Sequence, residues 1–364
     1  MNIYTDDRVV LTLDAGGTNF VFSALQKGKA ITKEVHKKSN AHDLDLCIAT
    51  LKEGFREVMQ KISQKPVAIS FAFPGPADYP NGIIGDLPNL PAFRGGVPLK
   101  SILEEAFKLP VYINNDGDLY AYGEALGGIL PEINNKLEQS GSPKRYHNLA
   151  GLTLGTGFGG GLVRNGQLFI GDNSTAAEVW LFSNRFSTDA NAEDLVSTRS
   201  VQRVYAQQAG IEYPNALMPK DIYDIATGTK KGNKEAALKA YQETGKALGD
   251  TVANLFTFID GIVVIGGGIT GAKDLYMPSV MAELDGYFQP SNSDQLPRLV
   301  QRIFNLDEEK DRQAFYKDYS KEIKIPGTDK TISYDPLPRL AIATSRIGAS
   351  EAIALGAYAF ALQV

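Results

Sequence analysis

One short pattern occurs twice in this chain, and it restricts the fold more than any other feature. Leu11-Thr12-Leu13-Asp14 runs into the turn Ala15-Gly16-Gly17-Thr18. Leu152-Thr153-Leu154-Gly155 runs into Thr156-Gly157-Phe158-Gly159-Gly160-Gly161. Each copy continues as a second β-like run, Phe20 to Leu25 or Leu162-Val163. Each then meets a glycine hairpin turn, Lys27-Gly28 or Asn165-Gly166. Two hairpins can look alike by chance, but the paired glycine turns favour an internal repeat. The chain then consists of two related lobes, each opening with a glycine-turned β-meander. Its 364 residues are enough for two domains.

The remaining pattern alternates strands and helices, which indicates an α/β fold. Leu44, Ile48, Leu51, Phe55, Val58 and Ile62 predict a helix over 43–63, stopped by Pro66. Val67 to Phe73 predicts a buried strand broken by Pro74-Gly75-Pro76. Val111-Tyr112-Ile113 predicts a strand running into Asn114-Asn115-Asp116, with a helix over 118–129. Residues 193–256 read as mostly helical. Ile262-Val263-Val264-Ile265 reads as a buried strand leading into Gly266-Gly267-Gly268, and 275–288 and 347–362 read as helices. The charge run Asp307 to Arg312 reads as a solvated helix face, and Lys321 to Tyr334 as an inserted hairpin.

Composition narrows the function classes. Lys and Arg number 37 against 42 Asp and Glu, a net charge of −5, which disfavours a nucleic-acid or anionic-membrane surface. The one cysteine, Cys47, excludes an intramolecular disulfide and a Cys-rich zinc cluster, and it fits a reducing compartment. It reads as a half-buried helical residue. His36, His42 and His147 are scattered and form no metal-binding pair. The N-terminus lacks signal-peptide character and no apolar run reaches the ~18 residues of a membrane span, so a cytoplasmic protein is expected.

Two segments match G-x-G-x-x-G, Gly155-Gly157-Gly160 and Gly266-Gly268-Gly271, and invite a dinucleotide-binding reading. That fingerprint needs strand, glycine turn and helix in order. The first match continues as a strand, and no βαβ unit is expected after the second, so a hydride-transfer enzyme is disfavoured. Two phosphate cradles fit better. A glycine turn lets backbone N–H groups approach an anion without a Cβ in the way. Thr18 and Thr156 add hydroxyl donors. Asp14 at the end of a buried strand wants a partner, either Mg²⁺ directly or through water, or the turn it caps. The second glycine turn favours the metal. The third cluster, Gly266-Gly267-Gly268, suits the flat face of an adenine or ribose. Asn115-Asp116 offers a carboxylate to accept a hydroxyl proton, with Asn115 orienting that hydroxyl. On the dipeptide alone, a helix N-cap at Asp116 or Asp118 is the stronger reading. Glu178, Glu193 and Asp194 each read singly as surface carboxylates, and Trp180 as core.

Leu13-Asp14-Ala15-Gly16-Gly17-Thr18-Asn19 resembles the first phosphate motif of sugar kinases in the actin/hexokinase/Hsp70 superfamily. Four further segments resemble the ROK family (repressors, open reading frames, kinases). They are Phe73-Pro74-Gly75-Pro76, Asn89-Leu90-Pro91, Asn115-Asp116 with Tyr122-Gly123-Glu124, and Leu154 to Gly161. Val264-Ile265-Gly266-Gly267-Gly268 is similar to its adenosine motif.

The resemblance implies two ribonuclease-H-like lobes of the actin/hexokinase type with an interlobe cleft. The expected division is 1–118 plus 346–364 and 119–345, with an insertion at about 290–340. It implies an ATP-dependent hexose or N-acetylhexosamine kinase, with Asp116 as the base and Mg²⁺ as the metal. Asp14, Gly16, Gly17, Thr18, Asn19, Gly155, Thr156, Gly157, Gly266, Gly267 and Gly268 would hold the nucleotide. Gly75, Asn89, Asn115, Asp116, Glu178 and Glu193 would hold the sugar. The expected assembly is a homodimer. The family's Gly-Glu-Ile-Gly-His is here Ala177-Glu178-Val179-Trp180-Leu181, and its Cys-rich zinc loop has no counterpart between Asn184 and Ala192. No structural zinc is expected, and the sugar is left open. A repressor would carry a helix-turn-helix ahead of the first strand, which starts near Arg8. A non-catalytic sugar- or nucleotide-binding relative is the alternative.

Overall fold

The computed structural model describes residues 2–16, 18–75, 77–85, 91–214, 217–291 and 294–363. The expected site residues Gly17 and Asn89 lie outside them, as does Pro76. The chain forms two compact units. One comprises Met1–Gly128, Gly161–Ala177 and Ile347–Val364, and the other Ile129–Gly160 and Glu178–Arg346.

The first unit is built on a mixed sheet. Its strands are β1 (Val10–Ala15), β2 (Asn19–Gln26), β3 (Lys29–Ala30), β4 (Val35–Lys38), β5 (Ala68–Ala72) and β6 (Val111–Asn114). The order is β3-β2-β1-β5-β6, with β4 also paired to β2. β1 and β2 are antiparallel, Val10 opposite Leu25 through Ala15 opposite Phe20, so the glycine turn is a true hairpin. β1, β5 and β6 are parallel. Their C-terminal ends therefore share one edge, and Asp14, Gly75 and Asp116 are all delivered to it.

Helix α1 (Leu44–Gln60) starts where the Asp43 carboxylate accepts the Leu46 N–H at 3.0 Å. It buries Cys47, Leu51, Phe55 and Val58, as its spacing requires. Phe55 meets Phe22 edge-to-face at 5.0 Å and Phe71 at 6.0 Å, pinning helix to sheet. Burial pushes the Cys47 thiol up to about 11, so it packs as a small apolar group. Helix α2 (Leu99–Phe107) leads to β6. Helix α3 (Asp116–Leu126) starts two residues earlier than expected, and its cap is Asn115, not Asp116 or Asp118.

A second sheet repeats this plan. Its opening strands are β7 (Leu149–Leu154) and β8 (Phe158–Arg164), whose partner β9 (Gln167–Leu168) is shorter than expected; from Gly161 on, β8 and β9 fall among the residues grouped with the first unit. A hairpin follows, β10 (Ser183–Asn184) and β11 (Ser187–Asn191), and then helices α4 (Ala192–Val196), α5 (Thr198–Ala209) and α6 (Lys234–Ile259). Strand β12 (Ile262–Gly266), helix α7 (Lys273–Leu284), β13 (Arg302–Asn305), helix α8 (Glu309–Tyr316), the hairpin β14 (Lys321–Lys324) and β15 (Thr331–Tyr334), and β16 (Arg339–Thr344) complete it. The sheet order is β9-β8-β7-β12-β16-β13, with β7, β12, β16 and β13 parallel.

This corrects three expectations. Residues 290–340 are not a plain insertion, because β13 is a strand of the main sheet; only the hairpin β14–β15 stands out, exposed along both strands. A βαβ unit does follow the third glycine cluster, namely β12–α7–β13. Asp307 is not on a solvated face: its side chain is 5% exposed, and it takes bonds from the Thr344 N–H and Arg346 Nη1 at 3.1 and 2.8 Å. No helix among the described residues is long and apolar enough to cross a membrane.

Candidate active site

In the first unit the strand edge gathers Gly75, Asn115 and Asp116 of the expected sugar residues, whereas Glu178 and Glu193 belong to the second unit. Asn115 Oδ1 accepts the Gly117 N–H at 2.8 Å and so caps α3. That fixes the amide: its Nδ2 is the end that faces Tyr79, 3.5 Å from the phenol oxygen. Tyr79 is itself tied down, donating to the Phe73 carbonyl at 2.9 Å. Gly75 sits beside both. A Cβ there would lie 2.2 Å from Tyr79 Oη and 3.3 Å from Asn115 Nδ2, so only glycine fits without moving the phenol. Tyr79 was not singled out from the sequence; its one signal was its place three residues after Pro74-Gly75-Pro76. Asp116, the first residue of α3, is exposed, and its Oδ1 shares the Gly117 N–H at 2.9 Å. Its second oxygen is available to a ligand's hydroxyl.

Asp14 reaches the same edge. Partial enclosure by protein pushes its carboxyl above the ordinary value, and the charges of Asp116 and then Glu34 add to the shift. Two carboxylates close enough to disfavour each other are a natural seat for a cation. Gly16, Thr18 and Asn19 are exposed in and after the hairpin turn, with the Thr18 carbonyl accepting the Ser39 N–H at 2.9 Å.

The second unit carries the other two glycine turns side by side. β7 and β12 are adjacent and parallel, with Gly266 opposite Thr153. Gly267 has φ +94°, and a Cβ on it would lie 2.3 Å from the Leu154 carbonyl oxygen. Thr270 closes that turn, its hydroxyl donating to the Gly267 carbonyl at 2.6 Å. Gly268 and Gly155, by contrast, have open space where a side chain would stand. Thr156 is exposed between half-buried Gly155 and Gly157. The structure thus supplies a cradle of bare backbone on two neighbouring turns.

Glu193 belongs to this cradle. Its Oε2 accepts the Phe158 N–H at 3.1 Å, and its Oε1 pairs with Arg199 Nη2 at 2.6 Å. Thr198 holds the same turn from below, its N–H and hydroxyl both bonding the Gly155 carbonyl at 2.8 and 2.9 Å. Thr198 and Arg199 were not singled out from the sequence, and a Thr-Arg pair carries no signal for such a role. Glu178 stands elsewhere in the unit, where its carboxylate accepts the Trp180 indole N–H. Trp180 is half-buried, not core, and shares its polar tip with a candidate ligand. Among the described residues no three His, Cys, Asp or Glu side chains converge to hold a metal ion.

Two units of the same strand plan, each following its first strand with a glycine turn, define an α/β fold of the actin/hexokinase type. The ROK family model matches residues 10–305, and the chain belongs to the ROK family. Its structure superimposes with a TM-score of 0.92 on the crystal structure of a glucokinase from Parabacteroides distasonis, at 48% identity over 100% of this chain and 99% of that one. It is 26% identical over 311 residues to a glucokinase from Halalkalibacterium halodurans, covering 79% of this chain and 88% of the relative. It is 27% identical over 286 residues to an N-acetyl-D-glucosamine kinase from Vibrio cholerae, covering 72% and 85%.

Proposed function

We propose that the chain is an ATP-dependent sugar kinase acting on a hexose hydroxyl, with glucose the acceptor it prefers. The observation that carries this reading is Asp116: an exposed carboxylate at the start of α3, beside Asn115, Gly75 and Asp14. The similarity to glucokinases supports glucose over an N-acetylated sugar.

In the first unit the sugar would bind Gly75, Asn115 and Asp116, with Asn89, outside the described residues, as a further contact. Asn115 acts only as a donor there, because its oxygen is engaged by the helix cap. Asp116 takes the proton from the attacking hydroxyl as that oxygen bonds to the γ-phosphorus and the β–γ bridge breaks, releasing ADP. In the second unit the turns Gly155–Gly157 and Gly266–Gly268 would meet the nucleotide with backbone N–H groups, with open space at Gly155 and Gly268. Mg²⁺ would be held near Asp14, directly or through water, and would offset charge on the phosphates. Cys47 and the need for ATP fit a cytoplasmic setting.

The test is ADP release with ATP and Mg²⁺ over a panel of glucose, mannose, fructose, glucosamine, N-acetylglucosamine and N-acetylmannosamine. Glucose gives the highest kcat/KM. Asp116→Ala folds and binds glucose but turns over about 10²- to 10⁴-fold more slowly. Near-normal turnover in that variant removes Asp116 as the base. Glucose binding without ADP release in the wild type would favour a regulatory, non-catalytic ROK protein.

A further inference from the structure

The second unit holds a charged cluster that includes none of the expected site residues. Arg298 and Asp250 are each 5% exposed and form an ion pair. Arg298 Nη1 also reaches Glu283 at 3.1 Å, and Arg185 pairs with Glu283 in turn. Asp250 lies on α6 and Glu283 on α7, so the cluster crosses two helices. Desolvating such charges is expensive, and well-packed apolar residues often serve stability as well or better. Its geometry suggests a different task, holding the hairpin β10–β11. The Arg185 N–H donates to Asp250 Oδ2 at 3.1 Å, and Asn184 Nδ2 donates to the Ala247 carbonyl of the same helix at 2.8 Å.

The hairpin leads straight to the glycine cradle. Asn191, its last residue, caps α4 by accepting the Asp194 N–H at 3.0 Å. The Ala192 N–H closes back onto the Phe182 carbonyl at 2.9 Å. The next residue is Glu193, bonded to the Phe158 N–H. A turn rich in glycine has much conformational entropy to lose, and a fixed carboxylate is one way to remove that freedom in advance. Gly157 lets the carboxylate lie against the turn, since a Cβ there would come within 2.9 Å of Glu193 Oε2.

We propose that the Arg185–Asp250–Arg298–Glu283 cluster is the anchor that positions Glu193, and through it the Gly155–Phe158 turn, for nucleotide phosphate. Arg185 and Arg298 are then positioning residues. They work through a segment that here contains no cysteine to bind a metal. The kinetic half of this statement rests on the kinase reading above; the structural half does not.

The experiment uses the full chain with Arg298→Met, Arg185→Gln and, as a control at an exposed pair, Glu309→Gln. Amide exchange at Phe158 and steady-state kinetics in both substrates are measured where circular dichroism shows each variant folded. Arg185 is 44% exposed on its side chain, so Arg185→Gln keeps the test alive if Arg298→Met does not fold. The expected result is about tenfold faster exchange at Phe158. The KM for ATP rises about ten- to a hundredfold, well beyond any change in the KM for sugar. Glu309→Gln matches the wild type in both readouts. Unchanged Phe158 exchange in folded Arg185→Gln overturns the proposal, as does an equal loss toward both substrates. A wild type without sugar-dependent turnover would fail the kinase reading alone, and the exchange data would still decide the anchor.

Discussion

Gly267 and Gly268 are neighbours in one turn, yet they should respond oppositely to the same substitution. Gly267→Ala forces an L-residue to φ +94° and drives its Cβ to 2.3 Å from the Leu154 carbonyl oxygen and 2.7 Å from the Leu154 nitrogen. The backbone conformation costs about 1–3 kcal/mol. The overlap is with backbone in the middle of a sheet, which cannot swing aside like a side chain, and overpacking of this kind adds about 1–3 kcal/mol. A destabilisation of about 2–6 kcal/mol in a unit of this size lowers the melting temperature by roughly 4–24 °C. Gly268→Ala meets no atom within 4 Å and has no positive φ, so its melting curve should overlay the wild type. The new methyl group instead stands where the nucleotide is expected and weakens ATP binding. The assay is thermal unfolding of both variants without ligand, followed by ATP titration of the folded Gly268→Ala protein. A wild-type melt for Gly267→Ala would refute the packing argument. A stable Gly268→Ala that binds ATP normally would refute the claim that its open space serves the nucleotide.

Two further outcomes follow from charge and from the lone tryptophan. Asp14 has a carboxyl pushed up by burial and by Asp116 and Glu34. Its folded form therefore holds a proton more tightly than the unfolded chain does, so stability falls as pH rises from the unfolded value through the raised one, and the whole penalty stands above both. Asp14→Asn should melt higher than wild type at pH 7 without Mg²⁺ or nucleotide, lose that advantage below about pH 4, and lose turnover; an equal or lower melt at pH 7 sinks the repulsion argument. Trp180 is the one tryptophan, and its indole N–H is held by Glu178. Glucose binding should change the intrinsic emission in a saturable way, and Glu178→Gln should weaken that response; emission that ignores glucose under conditions of measurable turnover would remove Glu178 from the sugar site.

The strands were legible because their pattern is local. Leu11 to Asp14 and Leu152 to Gly155 announce strand and turn within a few residues, and the repeat announces that the plan is used twice. Asp116 was singled out through the ROK resemblance, while its local surroundings suggested only a cap. The cap proved to be the residue before it. What could not be read were contacts between residues distant in sequence. Nothing local distinguishes Asp307 from its charged neighbours; its burial comes from Thr344 and Arg346 on and after β16. The strand Arg302–Asn305 was hidden for a similar reason, since four residues in a polar stretch become a strand only by pairing with β16. The resemblance put Glu193 at the sugar, whereas its carboxylate bonds the Phe158 N–H, and the hairpin before it is tied by Arg185 to Asp250, 65 residues further along the chain.

The two copies of the opening motif have diverged in the way a two-substrate reaction calls for. The first strand ends on Asp14, whose charge sits near a second carboxylate. The matching position in the second copy is Gly155, which leaves open space and offers backbone. Each unit also places a glycine after the parallel strand next to its first, for unlike reasons. Gly75 gives way to a phenol, which keeps Tyr79 within reach of Asn115. Gly267 gives way to the Leu154 backbone, which lets one glycine turn lie against another. A single strand plan thus yields one edge suited to accepting a proton and binding a cation, and another suited to an anion. In-line phosphoryl transfer needs both, and neither edge by itself has the chemistry to perform it.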